Sequence, residues 1–124
     1  MILIVDDHPD IAHATSALMS CEGYDAACVH SGRAAIQWIA NDLPRLIILD
    51  DNMPGMTGFD VLQMLKADSR YAGIPVLFHS AEQDGERHRQ ALELGAMGWF
   101  VKGPESWTAM TRRVRELLSG PSQA

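Results

Sequence analysis

An α/β fold with one doubly wound, parallel five-stranded sheet is what this sequence predicts. Two observations carry that expectation. Five short apolar runs are each followed by a longer segment of helical period, and several of the runs lack the polar/apolar alternation of a strand with one wet face. Strands covered by helices on both faces read this way, and five βα units in succession imply right-handed crossovers. At 124 residues the chain is the size of a single domain, long enough to bury about two-thirds of the surface its unfolded form exposes.

The first run, Ile2 to Val5, is stopped by Asp6 and Asp7 and has no basic flank, so it reads as a strand and not as the apolar part of a signal peptide. Ile11, Thr15 and Leu18 then fall at helical intervals, and Gly23 suits a left-handed helix end. Asp25 to Val29 is the second strand, and Ser31 is an N-cap candidate for the helix carrying Ala35, Ile36 and Ile39. Pro44 and Pro75 stand at the entries of the third strand, Leu46 to Leu49, and the fourth, Pro75 to His79, where a missing N–H is harmless. Phe59, Leu62 and Leu65 mark the helix between them; Ala91 and Leu94, closed by Gly95, mark the next. After the last strand, Gly98 to Val101, the residues Trp107, Met110, Val114, Leu117 and Leu118 form one stripe of an amphipathic helix. Residues 1–120 are expected to form one domain and 121–124 a disordered tail, with no linker or second domain after them.

Composition narrows the function classes. The formal charge of -6 disfavours direct contact with nucleic acid, which rests on neutralising phosphates with Lys and Arg. No segment approaches the ~20 apolar residues that span a bilayer, which predicts no membrane insertion and a cytoplasmic protein. Cys21 and Cys28 fit no zinc or redox spacing and are expected to be small buried thiols. The five histidines are scattered, His8 lying nearest the strand ends, and are expected to be solvated.

In an open parallel sheet, ligands bind beyond the carboxyl ends of the strands. Here those ends are Asp6 and Asp7, Asp50, Ser80 and Lys102. Three carboxylates on one rim raise one another's pKa unless a cation lies among them, and a hard divalent ion with oxygen ligands answers that need. Magnesium is the natural candidate because it takes few protein carboxylates and completes its octahedron with water and phosphate oxygens. A carboxylate attacking a phosphoryl group needs its equatorial oxygens neutralised, and one metal, one lysine and one hydroxyl suffice.

The segments Ile-Val-Asp-Asp at 4–7, Leu-Asp-Asp-Asn-Met-Pro-Gly-Met-Thr-Gly at 49–58, Ser80-Ala81 and Trp-Phe-Val-Lys at 99–102 resemble the response regulator receiver family, over nearly the whole chain and in the family's order. The resemblance implies the flavodoxin-like receiver fold and a phosphoacceptor switch of two-component signalling. Asp50 would accept a phosphoryl group from a histidine kinase or phosphotransfer protein. Asp7 and Asp50 would ligate magnesium, with Asp6 acting mainly through water and Asn52 through its backbone carbonyl. Ser80 and Lys102 would contact the phosphoryl group, joined by the Ala81 N–H. Gly58 would be the loop glycine before the third helix, and Met53-Pro54 would shape the loop above the site. By the same resemblance, Asn52 and Glu82 would hold the two positions through which the family tunes hydrolysis of its aspartyl phosphate. A downstream effector protein is the implied partner, and the protein a monomer or weak dimer.

The chain departs from the family pattern twice. Lys102-Gly103-Pro104 replaces the usual Lys-Pro, whose bond is typically cis; a non-proline cis bond costs about 2.5–4 kcal/mol, so a trans peptide is expected, with Gly103 taking up the altered path. Trp99 stands where the family has Tyr or Phe. It is expected to be the mobile aromatic of the switch, with Ser80 its counterpart, and to stay partly exposed because an indole risks overpacking. Its face would be formed by the fourth helix, last strand and last helix. Three rival functions share parts of this pattern: a phosphorylation-independent interaction module, an aspartate-nucleophile phosphatase and a flavin-binding module. The phosphatase wants a second acid two residues after the nucleophile, where Asn52 stands. The flavin module wants a Ser/Thr/Gly-rich loop where Asp-Asp-His-Pro-Asp stands.

Overall fold

The computed structural model describes residues 1–119; the expected tail at 121–124 lies outside them. Five strands, β1 (Ile2–Val5), β2 (Ala26–Val29), β3 (Leu46–Asp50), β4 (Val76–Ser80) and β5 (Trp99–Val101), alternate with five helices, α1 (Pro9–Cys21), α2 (Gly32–Asn41), α3 (Gly58–Lys66), α4 (Gly85–Glu93) and α5 (Pro104–Leu118). The strands form one sheet in the order β2-β1-β3-β4-β5, and every pair is parallel. The chain winds one way from β1 to β2 and the other way from β3 onward, so the strand order reverses between β1 and β3. Crevices at such reversals are where these sheets bind ligands.

Alternate residues of each central strand feed two cores. Leu3, Val5, Ile47, Leu49, Val76 and Phe78 pack with Ala35 and Ile39 of α2, Val61, Leu62 and Leu65 of α3 and Ala91 of α4. On the other face Ile2, Ile4, Leu46, Ile48 and Leu77 pack with Ala12 and Met19 of α1 and Met110, Val114 and Leu118 of α5. This two-sided burial is why β1 and β3 read as unbroken apolar runs. Truncating one of these residues, for example Ile47→Ala, costs about 2–5 kcal/mol by loss of contacts and the cavity left.

The helix ends follow local chemistry. Ser31 Oγ accepts the Ala34 N–H at 3.0 Å, Thr57 and Asp60 form a reciprocal capping box, and Asp84 accepts the N–H groups of Glu86 and Arg87. Gly23 and Gly95 have φ of +92° and +105° after α1 and α4, the left-handed helix ends expected of them. β3 and β4 each run one residue further than expected and deliver Asp50 and Ser80 as the last residues of their strands.

Three expectations about side chains are corrected. Cys21 is exposed, lying on the outer face at the end of α1, and only Cys28 is partly covered. His79 is not solvated: it is 3% exposed, because the alternation of β4 turns it with Leu77 toward the α1 and α5 side. Trp99 is 7% exposed, where partial exposure was expected. Its ring lies 5.5 Å from Phe78 and is stacked against His88 at 5.9 Å between centroids, and small Ala91 and Ala96 in the same cluster leave room for it. All peptide bonds among the described residues are trans, Lys102-Gly103 included, and Gly103 takes a φ of +139° open to glycine.

Candidate functional site

β1 and β3 are paired in register through Val5 and Leu49, so the residues that follow, Asp6 and Asp50, emerge side by side at the crevice. Both are buried. Asp6 Oδ1 accepts the His8 N–H at 2.9 Å, and Asp50 Oδ1 accepts the Asn52 N–H at 3.2 Å. Their remaining oxygens face one cation: Lys102 Nζ lies 2.9 Å from Asp6 Oδ2 and 3.3 Å from Asp50 Oδ2. The lysine reaches them from the end of β5, where its backbone N–H donates to the Ser80 carbonyl at 2.6 Å.

The two carboxyls are driven in opposite directions. Burial works against charge on Asp6, but the His8 N–H and then Lys102 outweigh it and hold the group below its usual range. For Asp50 burial dominates, nearby Asp6 and Asp7 add to it, and Lys102 and the Asn52 N–H only partly oppose it, so the carboxyl is pushed up to about 7. Asp50 is thus an acid in want of positive charge. Asp7 stands at the edge of the group, its Oδ1 3.2 Å from His8 Nδ1.

One atom each from Asp6, Asp7, His8 and Asp50 lies within 4.8 Å of all the others. The three carboxylates fit a hard divalent cation. The His8 nitrogen is the odd member; its side chain is mostly exposed, and its Nδ1 lies against both Asp6 and Asp7. Sequence reasoning did not include His8 in this group, although its position directly after two acids was the available signal.

A cavity of about 90 Å³ opens beside the acids. Asp50, Asn52, Ser80, Ala81 and Lys102 all contribute to its wall, which brings together the expected acceptor, hydroxyl and ammonium. Ser80 is buried, and its Oγ accepts the Glu82 N–H at 3.1 Å, closing a local turn ahead of Asp84, which caps α4. Gly58 opens α3 against this wall: a Cβ there would stand 2.2 Å from the Asp50 carbonyl oxygen and 2.9 Å from Asp51 Cα. Trp99 is not in the cavity wall but reaches the same loop, its Nε1 donating to the Glu82 carbonyl at 3.3 Å.

Two features escaped the sequence. Asp51, beside the expected acceptor, is buried and its Oδ2 lies 2.9 Å from Arg87 Nη1. Charge balance was the available signal, since four acids near one lysine need a further cation and Arg87 follows in the first turn of α4. His79, under the rim, is held far below its usual pKa, to about 4, by burial first and Lys102 second, and its Nε2 has no hydrogen-bond partner.

Residues 2–114 match the model of the response regulator receiver domain family. Among characterised proteins, the DNA-binding response regulator MtrA of Mycolicibacterium smegmatis is 35% identical over 117 residues, which are 94% of this chain and 50% of MtrA. The response regulator PleD of Caulobacter vibrioides is 38% identical over 117 residues, 94% of this chain and 25% of PleD. The chain therefore spans half or less of these relatives. Among solved structures, the chemotaxis protein CheY4 of Vibrio cholerae superposes with a TM-score of 0.82 at 32% identity, covering 91% of this chain and 96% of that one. The receiver domain of a histidine kinase from Syntrophus aciditrophicus gives 0.87 at 32% identity, covering 99% and 92%.

Proposed function

Since this chain belongs to the response regulator receiver family of two-component signalling, we propose that it accepts a phosphoryl group on Asp50 from a phosphohistidine donor and passes the change to an effector protein. The observation that carries the reading is the meeting of Asp50 with Lys102 at 3.3 Å in the wall of a cavity shared with Ser80. In the transfer, an Asp50 oxygen forms a bond to phosphorus as the bond to the donor imidazole breaks, and the imidazole leaves with its electron pair. Lys102 donates to the phosphoryl oxygens, together with Ser80 and the Ala81 N–H.

Asp6, Asp7 and Asp50, with the Asn52 carbonyl, would hold magnesium, which supplies charge neutralisation for the attacking carboxylate and the transferred group. The pushed-up carboxyl of Asp50 favours this reading, because a divalent ion would return it to the ionised, nucleophilic form at neutral pH. The protein is then a switch that takes part in its own modification and not a turnover enzyme, working in the cytoplasm as a monomer or weak dimer. Among the described residues no helix is long and apolar enough to cross a membrane.

Intact-mass measurement after incubation with acetyl phosphate and magnesium tests the reading. One hydrolytically labile phosphoryl adduct, lost in Asp50→Asn, is expected. A folded protein that takes up no phosphoryl group would instead support the phosphorylation-independent interaction module.

A further inference from the structure

Asp51, 2% exposed, has its carboxylate met by Arg87 at 2.9 Å, and a carboxylate so buried is stable only with such a partner. The arginine is held from two other sides. Its guanidinium carbon lies 5.4 Å from the Phe59 ring centroid, and its backbone N–H donates to Asp84 at 3.1 Å. The ion pair with Asp51 uses one end of the guanidinium, and no guanidinium donor of Arg87 makes a hydrogen bond among the described residues. Arg87 nevertheless stands in the wall of the cavity that holds Asp50, Ser80 and Lys102.

The charge balance also leaves work for it. Lys102 is divided between Asp6 and Asp50, while a phosphoryl group brings about -1.5 to -2 charges and three acceptor oxygens. A guanidinium, unlike an ammonium, is a planar fork that can hold a carboxylate with one edge and a phosphate oxygen with another. We propose that Arg87 is a second phosphoryl-binding cation, shared between Asp51 and the phosphoryl group on Asp50, to which it donates alongside Lys102. The proposal rests on Asp50 as the phosphoacceptor. The simpler reading is that Arg87 only neutralises Asp51.

Binding of beryllofluoride with magnesium, followed calorimetrically, separates the two in a pair of variants, Asp51→Asn and Asp51→Asn/Arg87→Gln. Neither leaves an unpaired buried acid. With the acid gone Arg87 is free for the cavity, so Asp51→Asn should bind at least as tightly as the wild type. Adding Arg87→Gln should weaken binding about tenfold, the loss of one hydrogen bond between charged groups. Magnesium affinity without beryllofluoride should not fall, and Asp51→Asn/Arg87→Lys should recover part of the loss. Should Arg87→Gln fail to fold, Asp51→Asn/Arg87→Met, which keeps an unbranched stem over Phe59, carries the same comparison. Equal beryllofluoride affinity with and without Arg87 overturns the proposal. A wild-type protein with no Asp50-dependent adduct from acetyl phosphate would overturn the phosphoacceptor reading itself.

Discussion

Lys102 sits closer to Asp6 than to Asp50, by 2.9 Å against 3.3 Å. The cation at the centre of the site thus serves first the acid that stays ionised, and the buried Asp50 is left as the costly charge. Stability in the absence of metal should register that cost. Between the ordinary aspartate range near 3.8 and about 7 the native protein keeps a proton on Asp50 that the unfolded chain gives up, so the Asp50 contribution to stability falls as pH rises through this window. Asp50→Asn should abolish labelling, remove this slope, and stabilise the metal-free protein at pH 8 by on the order of 2–4 kcal/mol. Urea denaturation at pH 5 and pH 8 checks it; a mutant with the wild-type slope would contradict the electrostatic account.

His79 should act in the opposite sense. Its folded pKa of about 4 lies below the ordinary value of 6.5, so its contribution is intact above 6.5 and is lost as pH falls toward 4, by about 3 kcal/mol. Replacement by Val removes the titrating ring from the apolar side of β4. In an Asp50→Asn background, which removes the opposing titration, the loss of stability between pH 7 and pH 5 should become smaller on adding His79→Val, and equal losses with and without the histidine would rule it out as the source.

Gly58 should be intolerant of any side chain. A Cβ at 2.2 Å from the Asp50 carbonyl meets backbone, which cannot swing aside. Overpacking typically costs 1–3 kcal/mol, or occasionally more, and here the displaced atoms belong to the proposed acceptor. We expect Gly58→Ala to lower the melting temperature and to slow labelling by acetyl phosphate. Wild-type labelling in a folded Gly58→Ala protein would show that the main chain at Asp50 can shift without consequence.

Trp99 should report the state of the Ser80 turn. Its indole N–H is tied to the Glu82 carbonyl, and the Glu82 N–H is tied to Ser80 Oγ. With Trp38 and Trp107 replaced by Phe, resting emission should be that of a buried indole, poorly quenched by acrylamide. Adding beryllofluoride and magnesium should draw Ser80 toward the phosphoryl mimic, free Glu82 and shift or quench the signal. Saturated protein with unchanged emission would make Trp99 a fixed core residue.

The parts of the fold set by pattern were legible, and so were the parts of the site set by strand ends. Uninterrupted apolar runs at 2–5 and 46–49 could only be strands buried twice over, and once the sheet was ordered the rim residues Asp6, Asp50, Ser80 and Lys102 had to meet. Pairwise partners were less legible. Asp51 and Arg87 are far apart in sequence and belong to no periodic pattern, so only the packed structure reveals their contact. Ring size alone misplaces Trp99: the small residues at 91 and 96 that make room for it lie on a helix and a turn whose approach to β5 is a tertiary fact.

The 2.6 Å bond from the Lys102 N–H to the Ser80 carbonyl carries the β4–β5 ladder one step past the end of β5. It stitches the main chains of the two residues together at the mouth of the cavity. Moving the Ser80 backbone would break that stitch or drag Lys102 along, whereas rotating its hydroxymethyl group about one torsion breaks only the weaker bond from the Glu82 N–H. Motion at this corner is therefore nearly one-dimensional: the hydroxyl can turn while the backbone beneath it and the root of the lysine stay in place.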